Sequence, residues 1–191
     1  MVNILASSRS GSTSLTHFLS ELLGLKSVIS PKLNSIGDVT DLKKDVIHKI
    51  MIHSRPNLSD SIFEIGSEVI KISDKVILLD RENKLEQAES LAFKKKKYKK
   101  ASSGMYHTKE YYDDIDEDLV DLFMKRAIRQ GEVLLKLSSH YKIPLFTYET
   151  IYYGNGLDDL SDYLNVKIDE NLKKKFLSES NKQRIFNLKI I

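Results

Sequence analysis

The sequence predicts an α/β fold, in which a single domain contains a mainly parallel sheet flanked by helices. Short apolar runs, typical of strands that are buried on both faces, recur along the chain. Most of them are followed by segments whose apolar residues recur at helical spacing. Strands that alternate with helices build right-handed βαβ units, and therefore a parallel sheet. A length of 191 residues suits one hydrophobic core, so a single domain over residues 1–191 is expected.

Four apolar runs are the predicted strands. They are Met1 to Leu5, Val46 to His53, Lys75 to Asp80 and Leu145 to Tyr148. Between Ser27 and Asp45 the apolar pattern is weak, and the turn formers Pro31 and Gly37 predict an irregular connection there.

Helical spacing of apolar residues predicts the helices between and after these strands. The predicted segments are Leu15 to Leu23, Ile62 to Ile70, a helix from Leu85, one or two helices within Asp116 to Tyr141, and a last pair from Leu157 onward.

Composition excludes several classes of function. The sequence has no cysteine, which excludes disulfides and thiolate metal sites, and its five histidines lack metal-binding spacing, so no metal is expected. A net charge of +3 is too balanced to predict nucleic-acid binding. No apolar run approaches the roughly 20 residues that span a bilayer, so no transmembrane segment is expected. The first residues lack the pattern of a signal peptide, and a cytoplasmic location is expected.

A loop rich in serine and glycine joins the first predicted strand to the first predicted helix. Such a loop directs several backbone N–H groups and the positive end of the helix dipole at one point, which suits a phosphate or sulfate group. Gly11 would let the backbone approach the anion, and Arg9 adds a permanent positive charge. Short hydroxyl donors are supplied by Ser10, Ser12, Thr13 and Ser14. The alternative is a serine-rich turn with a serine N-cap.

The loop departs from the usual pattern of ATPases and GTPases. That pattern is G-x-x-x-x-G-K-[ST], but here Ala6 stands at the first glycine and Ser12 at the lysine. An ordinary nucleoside triphosphatase is therefore disfavoured, although another P-loop phosphotransferase remains an alternative.

Two segments together resemble the sulfotransferases that use 3'-phosphoadenosine 5'-phosphosulfate as donor. The segment Ser8 to Thr13 resembles their 5'-phosphosulfate loop, and Leu78 to Ala92 resembles their 3'-phosphate motif. The second is most similar to the version in bacterial enzymes that act on glycolipids. The resemblance implies a fold with a P-loop-type phosphate-binding loop, and it gives Arg81 and Ser90 the 3'-phosphate contact. An arginine at the end of a strand and a hydroxyl on the next helix can converge on one phosphate.

Later segments extend the resemblance loosely to about Val166. Tyr148-Glu149 is similar to a late tyrosine-acid motif of the family. Near the C-terminus, Asn181 to Arg184 resembles a basic segment that adds a contact to the 3'-phosphate, which makes Arg184 a further candidate.

The resemblance implies that a base accepts the proton of the acceptor. In the cytosolic-type members a histidine ends the strand that follows the first helix, and His53 matches that position, so His53 is the predicted base. Arg9, which could offset the charge that builds on the transferred group, is the second predicted catalytic residue. The glycolipid-type members use a glutamate soon after the first helix, but Leu25 to Asn34 contains no acid. The other candidates for the base are His17, Glu21 and Glu64.

Two further segments have both a functional and a structural interpretation. The run Lys94 to Lys100 suits an anionic partner, but a solvated helix end is the favoured interpretation. The cluster of Tyr106, His107, Tyr111 and Tyr112 suits either a lid that recognises the acceptor or a cover for the edge of the core.

The resemblance thus implies transfer of a sulfuryl group from 3'-phosphoadenosine 5'-phosphosulfate to a hydroxyl or amine, on a small-molecule or glycan acceptor such as a carbohydrate or glycolipid. The non-enzymatic alternative is a nucleotide- or anion-binding module that kept the loop without catalysis.

Overall fold

Five parallel strands form one sheet with helices on both faces, which confirms the predicted fold class. The structure is a computed structural model that describes residues 1–29, 31, 33, 35–52, 62–101 and 116–188, and at 94, 96–101 and 180–188 the backbone alone. The strands are β1 (Val2–Ala6), β2 (Lys26–Ile29), β3 (Val46–Met51), β4 (Lys75–Asp80) and β5 (Leu145–Thr147). The helices are α1 (Ser12–Leu23), α2 (Ile62–Ile72), α3 (Lys84–Ala101), α4 (Glu117–Tyr141), α5 (Tyr148–Tyr153), α6 (Gly156–Leu164) and α7 (Glu170–Leu188), with a 3-10 turn at Gly37–Val39.

The central strand β1 is apolar on both sides because both faces of the sheet are covered. Ile4 and Ala6 point into a core formed with α1, α5, α6 and α7. Leu5, the residue between them, points into a second core formed with α2 and α4. All three side chains are fully buried, and each large one contributes about 1.5–3 kcal/mol by leaving water.

The strand order is β2-β3-β1-β4-β5, so the chain leaves β1 and β4 toward opposite edges of the sheet. Helix α1 packs beside β2 and β3, whereas α4 packs beside β4 and β5. The carboxyl ends of β1 and β4 therefore flank a topological switch point, the place where open α/β sheets bind their ligands.

Two local predictions differ from the structure, and a third, on the number of helices between Asp116 and Tyr141, is confirmed and made specific by it. The connection predicted as irregular contains β2, an edge strand whose side chains are mostly exposed and therefore leave no apolar run. The segment predicted as one or two helices is the single helix α4, which Asp116 caps by accepting a hydrogen bond from the N–H of Leu119. The last strand ends at Thr147 rather than Tyr148, because Thr147 and Thr150 form a capping box that begins α5.

A buried histidine joins two neighbouring strands beneath the second core. His48 on β3 is 2% exposed, and its Nδ1 lies 2.9 Å from Oδ1 of Asn3 on β1. The amide of Asn3 in turn donates to Oγ of Ser73, at 2.6 Å. Burial lowers the pKa of His48 below 6.5, and the nearby N-terminal ammonium lowers it further.

This lowered pKa predicts that acidification destabilises the fold. The unfolded chain takes up the proton near pH 6.5 and the folded chain only at lower pH, so the stabilisation is present above that pH and is lost as the pH falls toward the folded pKa. Each unit of pKa difference amounts to about 1.4 kcal/mol. We expect the free energy of unfolding, measured with urea, to fall more between about pH 7.5 and about pH 5 in the wild type than in His48→Asn. An equal fall in the two proteins would contradict the assignment to His48.

Candidate functional site

The serines of the loop between β1 and α1 are buried, and two other residues of the loop have a left-handed backbone conformation. Arg9 has φ of 61° and Gly11 has φ of 75°, while Ser7, Ser8 and Ser10 are buried. Gly11, rather than a serine, is the N-cap of α1, and no side chain in the described structure caps that end of the helix. Within the part of the chain that the structure describes, the N-terminal N–H groups of α1 thus have no side-chain cap, as an anion site at a helix N-terminus requires.

Two buried glutamines hold this loop from later helices. Gln87 on α3 donates to Oγ of Ser7, at 2.9 Å, and to the carbonyl of Ser8. Gln130 on α4 accepts from the N–H of Ser8, at 3.1 Å, and donates to the carbonyl of Ile52. Both glutamines are at most 1% exposed. Gln87 lies inside the second predicted motif but had no predicted role, and Gln130 was not predicted at all. The signal for Gln130 is a polar residue on the buried face of a helix.

Two aromatic rings close over the glycine of the loop. A Cβ atom on Gly11 would lie 2.6 Å from Cε2 of Tyr152 and 2.8 Å from Cδ2 of Tyr148. The hydroxyl of Tyr152 donates to the carbonyl of Gly11, at 2.8 Å. Burial raises the pKa of both tyrosines, so both are neutral phenols. The space that glycine leaves is thus occupied by these rings.

The guanidinium of Arg81 lies at the end of β4, beside the loop. Arg81 is 7% exposed, and its Nη1 donates to the carbonyl of Arg9, at 3.3 Å. Its Nη2 pairs with Oε1 of Glu86, at 2.6 Å, and the guanidinium carbon lies 4.6 Å from the ring centre of Tyr148. Its Nε is buried and has no hydrogen-bond partner in the described structure, since Oε1 of Glu149 is 3.9 Å away. A buried donor without an acceptor is costly, and it suggests a ligand at this edge.

The two motifs identified in the sequence meet at Arg9. Its Nε donates to Oγ of Ser90 on α3, at 2.8 Å, across 81 positions of the chain. With the bond from Arg81 to the Arg9 carbonyl, the structure brings Arg9, Arg81 and Ser90 together at the switch point.

Glu149 fixes the turn that carries Arg81. Its two carboxylate oxygens accept from the backbone N–H groups of Glu82 and Asn83, at 2.9 and 3.2 Å. The hydroxyl of Thr147 donates to the Glu82 carboxylate, at 2.9 Å. Glu149, the acid of the late tyrosine-acid pair, and Thr147 therefore tie the start of α5 and the end of β5 to the turn after β4.

A buried lysine that the sequence analysis missed also reaches the loop region. Lys49 on β3 is 7% exposed, and its Nζ donates to Oγ1 of Thr13 in the first turn of α1, at 2.9 Å. The signal in the sequence is one charged residue inside an apolar strand. Lys49 therefore adds a positive charge near the end of α1 that faces the switch point.

No protein-family model matches this chain, and no curated protein matches it. Its function must therefore be inferred from the residues of the site.

Several predicted residues remain without described contacts. His53, Tyr106, His107, Tyr111 and Tyr112 lie outside the described residues, and Arg184 lies on α7 where only the backbone is described. The chain just before His53 runs beside the loop, because Ile52 donates its N–H to the carbonyl of Ala6, at 2.9 Å. Of the other candidates for the base, Glu21 lies in the last turn of α1 and pairs with Lys175 at 2.8 Å.

An open depression of about 540 Å³ lies between α2 and α4, lined by residues that include Phe63 and His140. Among the described residues no group of three histidine or acidic side chains is placed to hold a metal ion. None of the described helices is both long and apolar enough to cross a membrane.

Proposed function

We propose that this protein is a sulfotransferase that moves a sulfuryl group from 3'-phosphoadenosine 5'-phosphosulfate to a hydroxyl or amine, with a carbohydrate or glycolipid as a candidate acceptor. The observation that carries the proposal is the convergence of Arg9, Arg81 and Ser90 at the carboxyl ends of β1 and β4. These residues come from two segments to which the resemblance assigns different phosphate roles, and a donor with two anionic ends needs both segments within reach of one nucleotide.

The 5' end of the donor would occupy the loop. The N-terminus of α1 offers uncapped N–H groups and the positive end of a helix dipole. Arg9 adds a permanent charge beside it and Lys49 an amino group, and both would stabilise the charge that develops on the leaving phosphate.

The 3'-phosphate would lie against Arg81 and Ser90. The buried Nε of Arg81 has a hydrogen to donate, and a guanidinium edge matches two oxygens of a phosphate. ATP has no phosphate at that position of the ribose, so this site would select the sulfate donor over ATP.

In the proposed reaction the acceptor oxygen or nitrogen attacks sulfur, and the bond between sulfur and the bridging phosphate oxygen breaks. The electron pair of that bond remains on 3'-phosphoadenosine 5'-phosphate, and the acceptor proton passes to a base. His53 is our candidate for the base, because it follows Ile52, which pairs with Ala6 at the entrance to the loop.

Calorimetric titration with 3'-phosphoadenosine 5'-phosphate, against ADP and ATP, tests the donor site. Tight binding that requires the 3'-phosphate supports the proposal. No binding, or equal affinity for ATP, rejects it.

A transfer assay with His53→Ala tests the base. We expect transfer to be lost while donor binding persists, and His140→Ala, which replaces an exposed histidine on α4, serves as the control. Unchanged transfer would remove His53 from the site.

Replacing Lys49 by methionine should weaken binding of the 5'-phosphate. Methionine keeps much of the buried volume and removes the charge, so affinity for adenosine 5'-phosphate should fall about tenfold. The control is Lys26→Met on β2, where the lysine is exposed. An equal loss in both variants would show that only net charge matters.

A further inference from the structure

We propose that Glu86 is a displaceable internal counter-ion, which occupies Arg81 in the unliganded protein and leaves when an oxyanion binds. Glu86 thereby sets the affinity of the Arg81 site for oxyanions. That the incoming oxyanion is the 3'-phosphate of the donor rests on the proposed function, whereas the displacement itself does not.

The contacts of Arg81 show a donor edge that is only half used. Nε and Nη2 lie on one edge of the guanidinium, which is the edge that binds two oxygens of one anion. Glu86 places Oε1 2.6 Å from Nη2. Nε makes no hydrogen bond in the described structure and only a long ion pair, 3.9 Å, with Oε1 of Glu149. An oxyanion that satisfies both nitrogens must therefore take the position that the Glu86 carboxylate now occupies.

Glu86 is the carboxylate that can move. Its side chain is 55% exposed and lies in the first turn of α3, so a change of rotamer carries the carboxylate into water. Its other contact is a long one, 3.5 Å from Nδ2 of Asn83. Glu149, in contrast, is 26% exposed and is held by two backbone N–H groups. The anion would therefore displace Glu86 and leave Glu149 in place.

Displacement lowers the affinity that is measured. The closed arrangement, with Glu86 on Arg81, competes with the ligand. The apparent affinity is the intrinsic affinity multiplied by the fraction of molecules in which Glu86 has left Arg81. A phosphate that entered without moving Glu86 would instead lie beside a like charge. Removal of the Glu86 charge therefore strengthens binding of an anion to Arg81.

The test is Glu86→Gln, which removes the charge and keeps the length of the side chain. Glutamine, like glutamate, suits the third position of a helix. We expect calorimetry to show about tenfold tighter binding of 3'-phosphoadenosine 5'-phosphate, with no change for adenosine 5'-phosphate. Glu89→Gln removes the same charge from an exposed position on α3 and should leave both affinities unchanged. Equal affinities of wild type and Glu86→Gln for the bisphosphate, or an equal gain for adenosine 5'-phosphate, would overturn the proposal.

Inorganic phosphate separates this proposal from the proposed function. We expect phosphate to raise the melting temperature of Glu86→Gln more than that of the wild type, and the difference to vanish when Arg81→Lys is added. If this holds while the bisphosphate fails to bind, Glu86 is the counter-ion and the sulfotransferase proposal is rejected. If phosphate affects both proteins equally, the counter-ion proposal is rejected whatever the nucleotide does.

Discussion

Arg81→Lys should lower the affinity for 3'-phosphoadenosine 5'-phosphate by about 100-fold. A lysine ammonium cannot present the flat two-nitrogen edge that a phosphate fits, nor stack on Tyr148 as the guanidinium does, 4.6 Å from the ring centre. Each lost hydrogen bond to a charged group is worth about 1.5–3 kcal/mol, so one to two of them account for the loss. Calorimetry measures the effect directly.

The same variant should have little effect on adenosine 5'-phosphate, which lacks the 3' group. Arg129→Lys on α4 is the matched control, because Arg129 is exposed and should change neither affinity. A parallel loss for both nucleotides would place Arg81 at the other end of the donor or show that the fold is damaged, which a melting curve would distinguish.

Gly11→Ala should destabilise the fold by about 3 kcal/mol. An alanine in the left-handed conformation costs about 1–2 kcal/mol, and the overpacking adds about 1–3 kcal/mol. Overpacking is expected because the new Cβ would lie 2.6 Å from Tyr152 and 2.8 Å from Tyr148. Urea denaturation measures the free energy of unfolding.

Gly24→Ala separates the two contributions. Gly24 has φ of +64°, close to the +75° of Gly11, but a Cβ there would meet nothing within 4 Å. Its replacement should cost about 1–2 kcal/mol, the conformational penalty alone. A loss at Gly11 no greater than that at Gly24 would show that the tyrosine rings move aside freely.

The fold class and the meeting of the two motifs could be predicted because both follow from local patterns. Apolar runs mark buried strands, and the loops after neighbouring parallel strands necessarily share one edge of the sheet. That rule suffices to bring the segment after β1 toward Arg81, although it does not specify the bond between Arg9 and Ser90.

The remaining features depend on packing between distant segments. The edge strand β2 has mostly exposed side chains, so its pairing with β3 leaves no apolar signature. The loop contacts of Gln130 and Lys49 arise only when α4 and β3 lie beside β1. Nor does the sequence pattern show that Glu86, the residue immediately before Gln87, pairs with Arg81.

The hold of Gln130 on the loop bears on when the protein becomes competent during its synthesis. Ser8 leaves the ribosome 122 residues before the glutamine that accepts its N–H. A nascent chain that ends before α4 contains β1, β3 and β4 but not Gln130. The Ser8 N–H and the Ile52 carbonyl then lack the side-chain amide that binds both of them. The proposed nucleotide binding should therefore begin only after α4 emerges, so that it would report translation through α4 rather than of the loop alone.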